Sequence, residues 1–379
     1  MSAKEPVRVA ILGPGRRSTN LYGPLIKALP EEVQLVGVWG RSAESTQRLG
    51  EAMGVPWFTD LERLVRETAA QIGVVSVSSS ANGAVGLMAV EAGLNVLLET
   101  PIAQKLSEAD AIIRAAEQRR LKVEVAEQYH RRPVEQIKLR LIEAGLFGRV
   151  HTSFNDFAGH GYHGMSLIRA YLGFDVRPLQ VTGAVRRYEL TPHRARWGGR
   201  YVERAMEIQE HAMIDFEGER LGIYHWTDIG YDSPLRVWRS SRFLAEKGMA
   251  INTGGGLNGQ EQLSLLTPGR DAPYIITLER REATPGGGLE AIVAHTGDPD
   301  VPEVTWVNPF RSVAGWKENE ISVADLLMSL VTAVREDRAP AYGPHQGRLD
   351  QELVLAMRLS AREGGRPISL PLDPDMDVE

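Results

Sequence analysis

Cysteine is absent from the 379 residues, which excludes disulfides, thiolate metal sites, iron–sulfur clusters and cysteine nucleophiles. A cytoplasmic location is the expectation. Lysine is scarce: Lys4, Lys27, Lys105, Lys122, Lys138, Lys247 and Lys317 are the whole set, so few positions can supply a titrating amine. No apolar run approaches the ~18 residues of a membrane span. The opening Met-Ser-Ala-Lys-Glu-Pro has no apolar stretch after its lysine, so no signal peptide is read. An excess of basic charge is also missing. With 43 basic against 49 acidic residues, a net −6, there is no general pull toward nucleic acid or anionic membrane. What is present is globular: 43% hydrophobic and 24% charged residues, in a length that suits about two domains.

From Val7 to Ala126, short β-branched runs alternate with longer amphipathic stretches. Strands are expected at Val7–Leu12, Val33–Trp39, Ile72–Val77, Asn95–Leu98 and Lys122–Ala126. Asp60 precedes a helical run, and Ser107-Glu108-Ala109-Asp110 has the form of a capping box. Strands joined by helices need crossovers, which gives a doubly wound parallel sheet over residues 1–127. After Tyr129 the texture changes. Helices are expected at Pro133–Ala144 and Gly164–Leu172, with strands at Val150–Phe157, Gln180–Val185, Ala212–Phe216, Leu221–Thr227, Phe243–Glu246 and Tyr274–Leu278. Gly254–Gly256 and Gly286–Gly288 read as loop tips or hairpin connections. Helices at Ile321–Arg335 and Leu349–Ala361 follow, the last helices able to pack back on the first domain. The pattern predicts an α+β domain over 128–366 on a mostly antiparallel sheet, then a poorly ordered tail over 367–379.

The strand Val9–Leu12 runs into Gly13-Pro14-Gly15-Arg16-Arg17-Ser18, a Gly-x-Gly-x-x-Ser turn at a helix start. Gly13 permits the tight turn, Gly15 lets backbone amides approach a pyrophosphate, and Ser18 is small enough for helix–strand packing. A merely structural turn is the other reading. The second strand ends in Gly40-Arg41-Ser42, where a NAD-preferring site carries Asp or Glu for the ribose 2′-hydroxyl. A guanidinium and a hydroxyl there suit a 2′-phosphate, so NADP is favoured over NAD. Alternatively Arg41 is only exposed and Ser42 only a helix N-cap.

Together with Glu91-Ala92-Gly93, Val96–Pro101, Tyr129–Pro133, Glu143–Val150, Gly161-Tyr162-His163 and Ser360–Gly364, this turn resembles the Gfo/Idh/MocA family of oxidoreductases over nearly the whole chain. The resemblance implies a Rossmann domain, an open-faced sheet that mediates homodimers or homotetramers, and a sugar-like substrate beside a nicotinamide. It places Arg16, Arg17, Ser78, Glu99 and Pro101 with the glycine turn in the cofactor set, and Tyr129, Asp156 and His160 near the substrate. Departures are marked. The family's Glu-Lys-Pro reads Glu99-Thr100-Pro101, its Asp-x-x-x-His reads Gly159 to His163, and the Asp that normally follows is Ser166. The common Pro-Asn-x-x-His loop reads Ser78-Ser79-Ser80-Ala81-Asn82. Threonine cannot titrate near neutrality.

Four catalytic candidates follow. His163 is the first choice for general acid/base work, and Thr100, His160 and Tyr162 are the others. A purely structural role is the competing reading for each. His160, His163, His211 and Asp156 are the residues a metal site would need, but no ligand spacing supports one and none is expected. Serine hydrolase chemistry has no Gly-x-Ser-x-Gly elbow to rest on. Arg186, Arg187, His193, Arg194, Arg196, Arg200 and Arg204 form a local basic patch with Tyr188, Trp197 and Tyr201 interleaved. It reads as a solvated loop or subunit contact, as a loop closing on an anionic sugar, or, weakest, as a nucleic-acid contact. Trp226, Trp238, Trp306 and Trp316 are candidates for sheet packing or sugar stacking. Three functions remain open: an NAD(P)-dependent oxidoreductase on a carbohydrate-like substrate, a redox-assisted glycosidase or lyase with bound NAD(P), and a non-catalytic nucleotide-binding regulator.

Overall fold

The computed structural model describes residues 5–195, 199–227, 240–252, 261–266, 269, 271–283 and 288–376. Arg196, Trp197, Trp238, Gly254–Gly256, Gly286 and Gly287 lie outside them. The chain divides into two compact units, residues 1–131 with 312–351 and residues 132–311 with 352–379. No helix among the described residues is long and apolar enough to cross a membrane.

In the first unit six strands form one sheet: β1 (Val7–Leu12), β2 (Val33–Trp39), β3 (Trp57–Phe58), β4 (Ile72–Val75), β5 (Asn95–Leu98) and β6 (Val123–Val125). Their order is β3-β2-β1-β4-β5-β6, and every neighbouring pair is parallel. This is the doubly wound arrangement whose order reverses beside β1 and β4. Helices cover both faces, so the strands read as mostly apolar runs; Val9, Ala10, Ile11 and Leu12 are fully buried. Asp60 caps the helix Leu61–Thr68 by accepting from the Arg63 amide at 3.0 Å. The capping box expected at Ser107 does not form. The helix Leu106–Arg119 begins two residues earlier, with Lys105 at the N-cap and no side-chain cap bond. The helix Ser79–Glu91 had no apolar stripe to betray it, because Gly83 and Gly86 pack closely against Ala103 and Leu98.

Helix Glu318–Glu336 packs on β5 and β6 within this unit. Its Ser329 donates to the carboxylate of Glu124 at 2.7 Å, and the Tyr342 amide donates to the other oxygen at 3.0 Å. Burial outweighs these bonds and holds the Glu124 carboxyl at a pKa of about 7.

The second unit is built on β7 (Val150–Asp156), β8 (Pro178–Leu190), β11 (Ala205–Phe216), β12 (Arg220–Thr227), β13 (Ser240–Ala245), β14 (Gly248–Asn252), β15 (Glu261–Leu265), β16 (Tyr274–Glu282), β17 (Leu289–His295), β18 (Glu303–Val307) and β19 (Ile368–Ser369). They form one sheet in the order β18-β17-β16-β15-β14-β13-β7-β12-β11-β8-β19. Only β7 and β12 pair in parallel. A short ribbon, β9 (His193–Arg194) with β10 (Tyr201–Val202), tops the β8–β11 hairpin. The tail expected to be disordered is corrected here: Ile368 and Ser369 pair with Val181 and Gln180, and Leu372 is buried with its amide on Glu352.

Helix Tyr162–Leu172 lies on one face of this sheet. A Cβ on Gly222 would sit 2.7 Å from Ile168, and one on Gly164 would sit 2.5 Å from the Tyr224 ring. The other face leaves Met213 53%, Ile275 45% and Met249 38% exposed. Beneath the helix side, the fully buried ammonium of Lys138 lies 3.2 Å from Glu135 and 3.0 Å from Glu261. Burial opposes its charge, and the two carboxylates more than restore it, holding its pKa well above the ordinary lysine value.

Candidate functional site

In the first unit a cleft of about 640 Å³ opens where the sheet order reverses. It is lined by Gly13–Arg17 after β1, Trp39–Ser42 after β2, Ser76–Ser78 after β4, and Glu99 and Thr100 after β5. The turn is locked by its own backbone: the Gly13 amide donates to Trp39 O at 2.8 Å, and φ at Gly13 is +116°. A Cβ on Gly13 would lie 2.4 Å from Ser76 O, so glycine is obligatory. Gly15 differs. A Cβ there would meet nothing nearer than Ser76 O at 3.7 Å. Chain packing does not require this glycine, and the space it leaves faces the cleft. Ser18 is fully buried and donates its hydroxyl to Gly13 O, so its side chain braces the turn from within.

Glu99 is fixed by two donors, the Arg17 guanidinium and the Tyr22 hydroxyl. Asn82 donates to the carbonyls of Glu99 and Pro101 and so holds the segment that carries Thr100. Tyr22 and Asn82 are structural partners that no motif identified as such. Arg16 and Arg41, by contrast, are exposed, and their side chains make no hydrogen bond or ion pair among the described residues. Ser42 does cap the helix Ala43–Met53, accepting from the Ser45 amide at 3.4 Å. Ser78 stands at the N-cap of Ser79–Glu91, its hydroxyl 3.2 Å from that of Ser80. The absence of a carboxylate at position 40 has a steric cause as well as an electrostatic one. A Cβ on Gly40 would lie 2.5 Å from the Thr46 hydroxyl and 2.7 Å from the Pro14 ring.

These residues fit a dinucleotide. Gly13, Gly15 and the helical turns from Arg16 suit a pyrophosphate, and the Gly40–Ser42 end suits the adenosine ribose. Thr100 lines the same cleft. Pro101 is buried behind it, and Tyr129 is also buried in this unit, its amide on Glu127 at 3.0 Å.

The remaining candidates belong to the second unit, where the structure gathers His160, Tyr162, His163 and Trp226. The His160 ring lies 4.8 Å from that of His163 and 5.5 Å from those of Tyr162 and Trp226. His163 is 6% exposed, in the first turn of Tyr162–Leu172. The loop before it is clamped. Asn155 Nδ2 donates to Gly159 O and its Oδ1 accepts from Gly159 N, both at 2.9 Å, and the Gly161 amide donates to the Tyr224 hydroxyl at 2.7 Å. Tyr224 donates in turn to Glu210 at 3.3 Å; its burial, and then that carboxylate, push its pKa well above the phenol value.

The same clamp explains the missing family carboxylate. A Cβ on Gly159 would lie 2.8 Å from His163 Cβ and from the Gly164 amide nitrogen, so no side chain fits at 159. Asp156 is held by Arg242 at 2.7 Å. His211 lies on the opposite face of the sheet from His163, stacked on His225, its partner across β11 and β12. Among the described residues, no group of three or more potential metal ligands is assembled.

Comparison with known proteins places this geometry. Residues 7–127 match the family described as GFO_IDH_MocA, an oxidoreductase family with an NAD-binding Rossmann fold. An uncharacterized oxidoreductase of Schizosaccharomyces pombe is 29% identical over 122 residues, 32% of this chain and 33% of that protein. The match thus spans about a third of the relative's length. Over 97% of this chain and 100% of theirs, two solved structures share the fold at low identity. The WlbA dehydrogenase of Bordetella pertussis in complex with NADH and UDP-GlcNAcA has a TM-score of 0.67 at 18% identity. A levoglucosan dehydrogenase in complex with NADH and levoglucosan has a TM-score of 0.71 at 13% identity. A Rossmann sheet in the order β3-β2-β1-β4-β5-β6, a glycine turn at its switch point and the match over 7–127 agree: the first unit is similar to the NAD-binding Rossmann fold of the GFO_IDH_MocA oxidoreductase family.

Proposed function

We propose that the protein is an NADP(H)-preferring oxidoreductase that exchanges hydride with a carbohydrate-like substrate. The observation that carries the cofactor reading is at one end of the cleft: position 40 is closed to a carboxylate by Thr46 and Pro14, and the neighbouring Arg41 is exposed and unpaired among the described residues. A bound nicotinamide would accept or supply the hydride. The glycine turn would hold the pyrophosphate, and Arg41 with Ser42 would meet the 2′-phosphate. Thr100 offers a hydroxyl where relatives carry an amine, so it orients substrate without titrating. His163, in the ring cluster of the second unit, is left as the group to move the proton. The carbohydrate class rests on relatives of the same fold whose structures hold UDP-GlcNAcA or levoglucosan. Association through the exposed sheet face that carries Met213, Met249 and Ile275 is the corresponding proposal for assembly.

A second reading keeps the cofactor and changes the net reaction to redox-assisted glycoside cleavage. Its support is the removal of both standard proton-transfer groups, one of them at a position, Gly159, that cannot carry a side chain.

Calorimetric titration with NAD(H) and NADP(H) tests the cofactor reading. Arg41→Ala is expected to weaken NADP(H) by roughly 1.5–3 kcal/mol and leave NAD(H) nearly unchanged. Gly40→Asp, which on charge alone favours NAD, is expected to weaken both because its side chain displaces Pro14 and Thr46. Equal losses for the two cofactors in Arg41→Ala would overturn the preference, and no binding of any form would overturn the site.

A further inference from the structure

The loop that carries His160 and leads into the helix of His163 starts at Phe157, a non-glycine residue held at φ +59°. Phe157 bridges Ser240 at the start of β13, and two further contacts belong to His225 on β12. The Phe157 amide donates to His225 O at 2.9 Å, and the Phe157 ring lies 4.2 Å from the His225 imidazole. The same carbonyl accepts from Asn155 Nδ2 at 3.2 Å, the amide that also clamps Gly159. On its other side the His225 ring stacks on His211 at 4.4 Å and 30°. A three-ring column, Phe157–His225–His211, therefore crosses β7, β12 and β11 on the face away from helix Tyr162–Leu172. That placement follows from the alternation of β12, whose Tyr224 faces the helix.

We propose that His225 and His211 form a proton-sensitive brace for this loop: stacked and neutral they hold Phe157 and the turn behind it, and protonation releases the column. The charged groups around the pair fit that role. Arg186 on β8 opposes charge on His211, and Gln209 is 3.3 Å from its Nε2. Glu207 on β11 and Asp156 on β7 favour charge on His225, but Asp156 is already paired with Arg242 on β13, and Thr227 donates to Glu207. Burial prevails at both rings and holds each below the ordinary imidazole range. Two neutral rings stack; two imidazolium rings at this spacing repel. His160 and His163 lie on the far side of the sheet from the stacked pair, so the brace is distinguishable from the reacting group.

Because the loop exists with or without substrate, amide exchange tests the brace independently of turnover. Hydrogen–deuterium exchange of the segment 155–163 in the full chain, corrected for intrinsic rates, is measured between pH about 7.5 and about 5. Protection is expected to fall roughly tenfold in the wild type as the pair charges, a change equal to about 1.4 kcal/mol. His225→Phe, which keeps a ring in the column and cannot charge, is expected to retain protection at both pH values. His225→Ala is expected to lack it at both. A wild-type loop whose protection is unchanged by acid, or a His225→Phe loop that still loses it, would overturn the proposal. If His225→Ala misfolds, the comparison of wild type with His225→Phe decides alone.

Discussion

The two units handle polar groups in opposite ways. Around the cleft of the first unit, Arg17 is paired with Glu99 but two other guanidiniums are left without partners among the described residues. Arg16 and Arg41 line it, and a fully buried carboxyl, Glu124, sits deeper in the same unit at a pKa of about 7. In the second unit the charges around the histidine loop are mated within the unit: Asp156 with Arg242, Glu210 with Arg358 at 3.5 Å, and Lys138 with two glutamates. A region with unspent charge is built to be completed by something that binds. One whose charges are already paired is built to hold a geometry. On this view the first unit recognises by electrostatics and the second acts by position.

The sharpest test of the contrast is His163. If the second unit works by holding this imidazole in place, His163→Ala should lower kcat by about 10²–10⁴ while calorimetry shows cofactor affinity unchanged. Unaltered turnover would move attention to His160 or Tyr162. Next in size is Lys138→Met. Removing one partner leaves Glu135 and Glu261 without their shared cation, and an unfolding free energy lower by about 3–5 kcal/mol is expected in denaturant titration. A neutral result would mean that pairing in this unit contributes little to its rigidity.

The smallest expected effect lies in the first unit and depends on pH. The Glu124 pKa is raised from 4.5 unfolded to about 7 folded. Its neutral form is the one the fold prefers, so its stabilising contribution is complete below about pH 4.5 and lost as pH rises through about 7. The swing is on the order of 3 kcal/mol. Glu124→Gln should flatten the Tm-against-pH curve in that window and raise Tm near pH 8. A curve with the wild-type slope would remove Glu124 as its source.

What could be read from the chain follows the same division. The parallel sheet was legible because β1, β2 and β5 are short, mostly apolar runs, broken only by Arg8, Gln34 and Asn95 near their starts, and the glycine turn because Gly13 and Gly15 follow a strand directly. The strands Gly248–Asn252, Glu261–Leu265, Leu289–His295 and Glu303–Val307 were not, since each is short and its identity depends on the neighbour it pairs with. At the site, the departures Thr100 and Gly159 were visible, but their causes were not. That Gly40 and Gly159 have no room for a side chain depends on how the chain turns back on itself, with Thr46 and His163 in the helices that follow and Pro14 in a separate turn. The Phe157–His225–His211 column is hidden for the same reason, because cross-strand register decides which residues become neighbours.

The two-residue strand near the C-terminus gives the arginine-rich segment a plainer meaning. A long strand at the border of a sheet offers unpaired backbone groups to any other chain that presents a strand. Here β8 is that border strand, and its outer side is covered in sequence. Ile368 and Ser369 pair with Val181 and Gln180, the Leu370 amide reaches Leu179 O, and the Ser360 hydroxyl accepts from the Gly183 amide. Beyond Gly183 this cover stops, and no strand among the described residues pairs with β8 on that side. Arg186 and Arg187 stand exposed just there. Charge replaces cover where cover ends, the arrangement by which natural sheets keep a border strand from pairing with another chain.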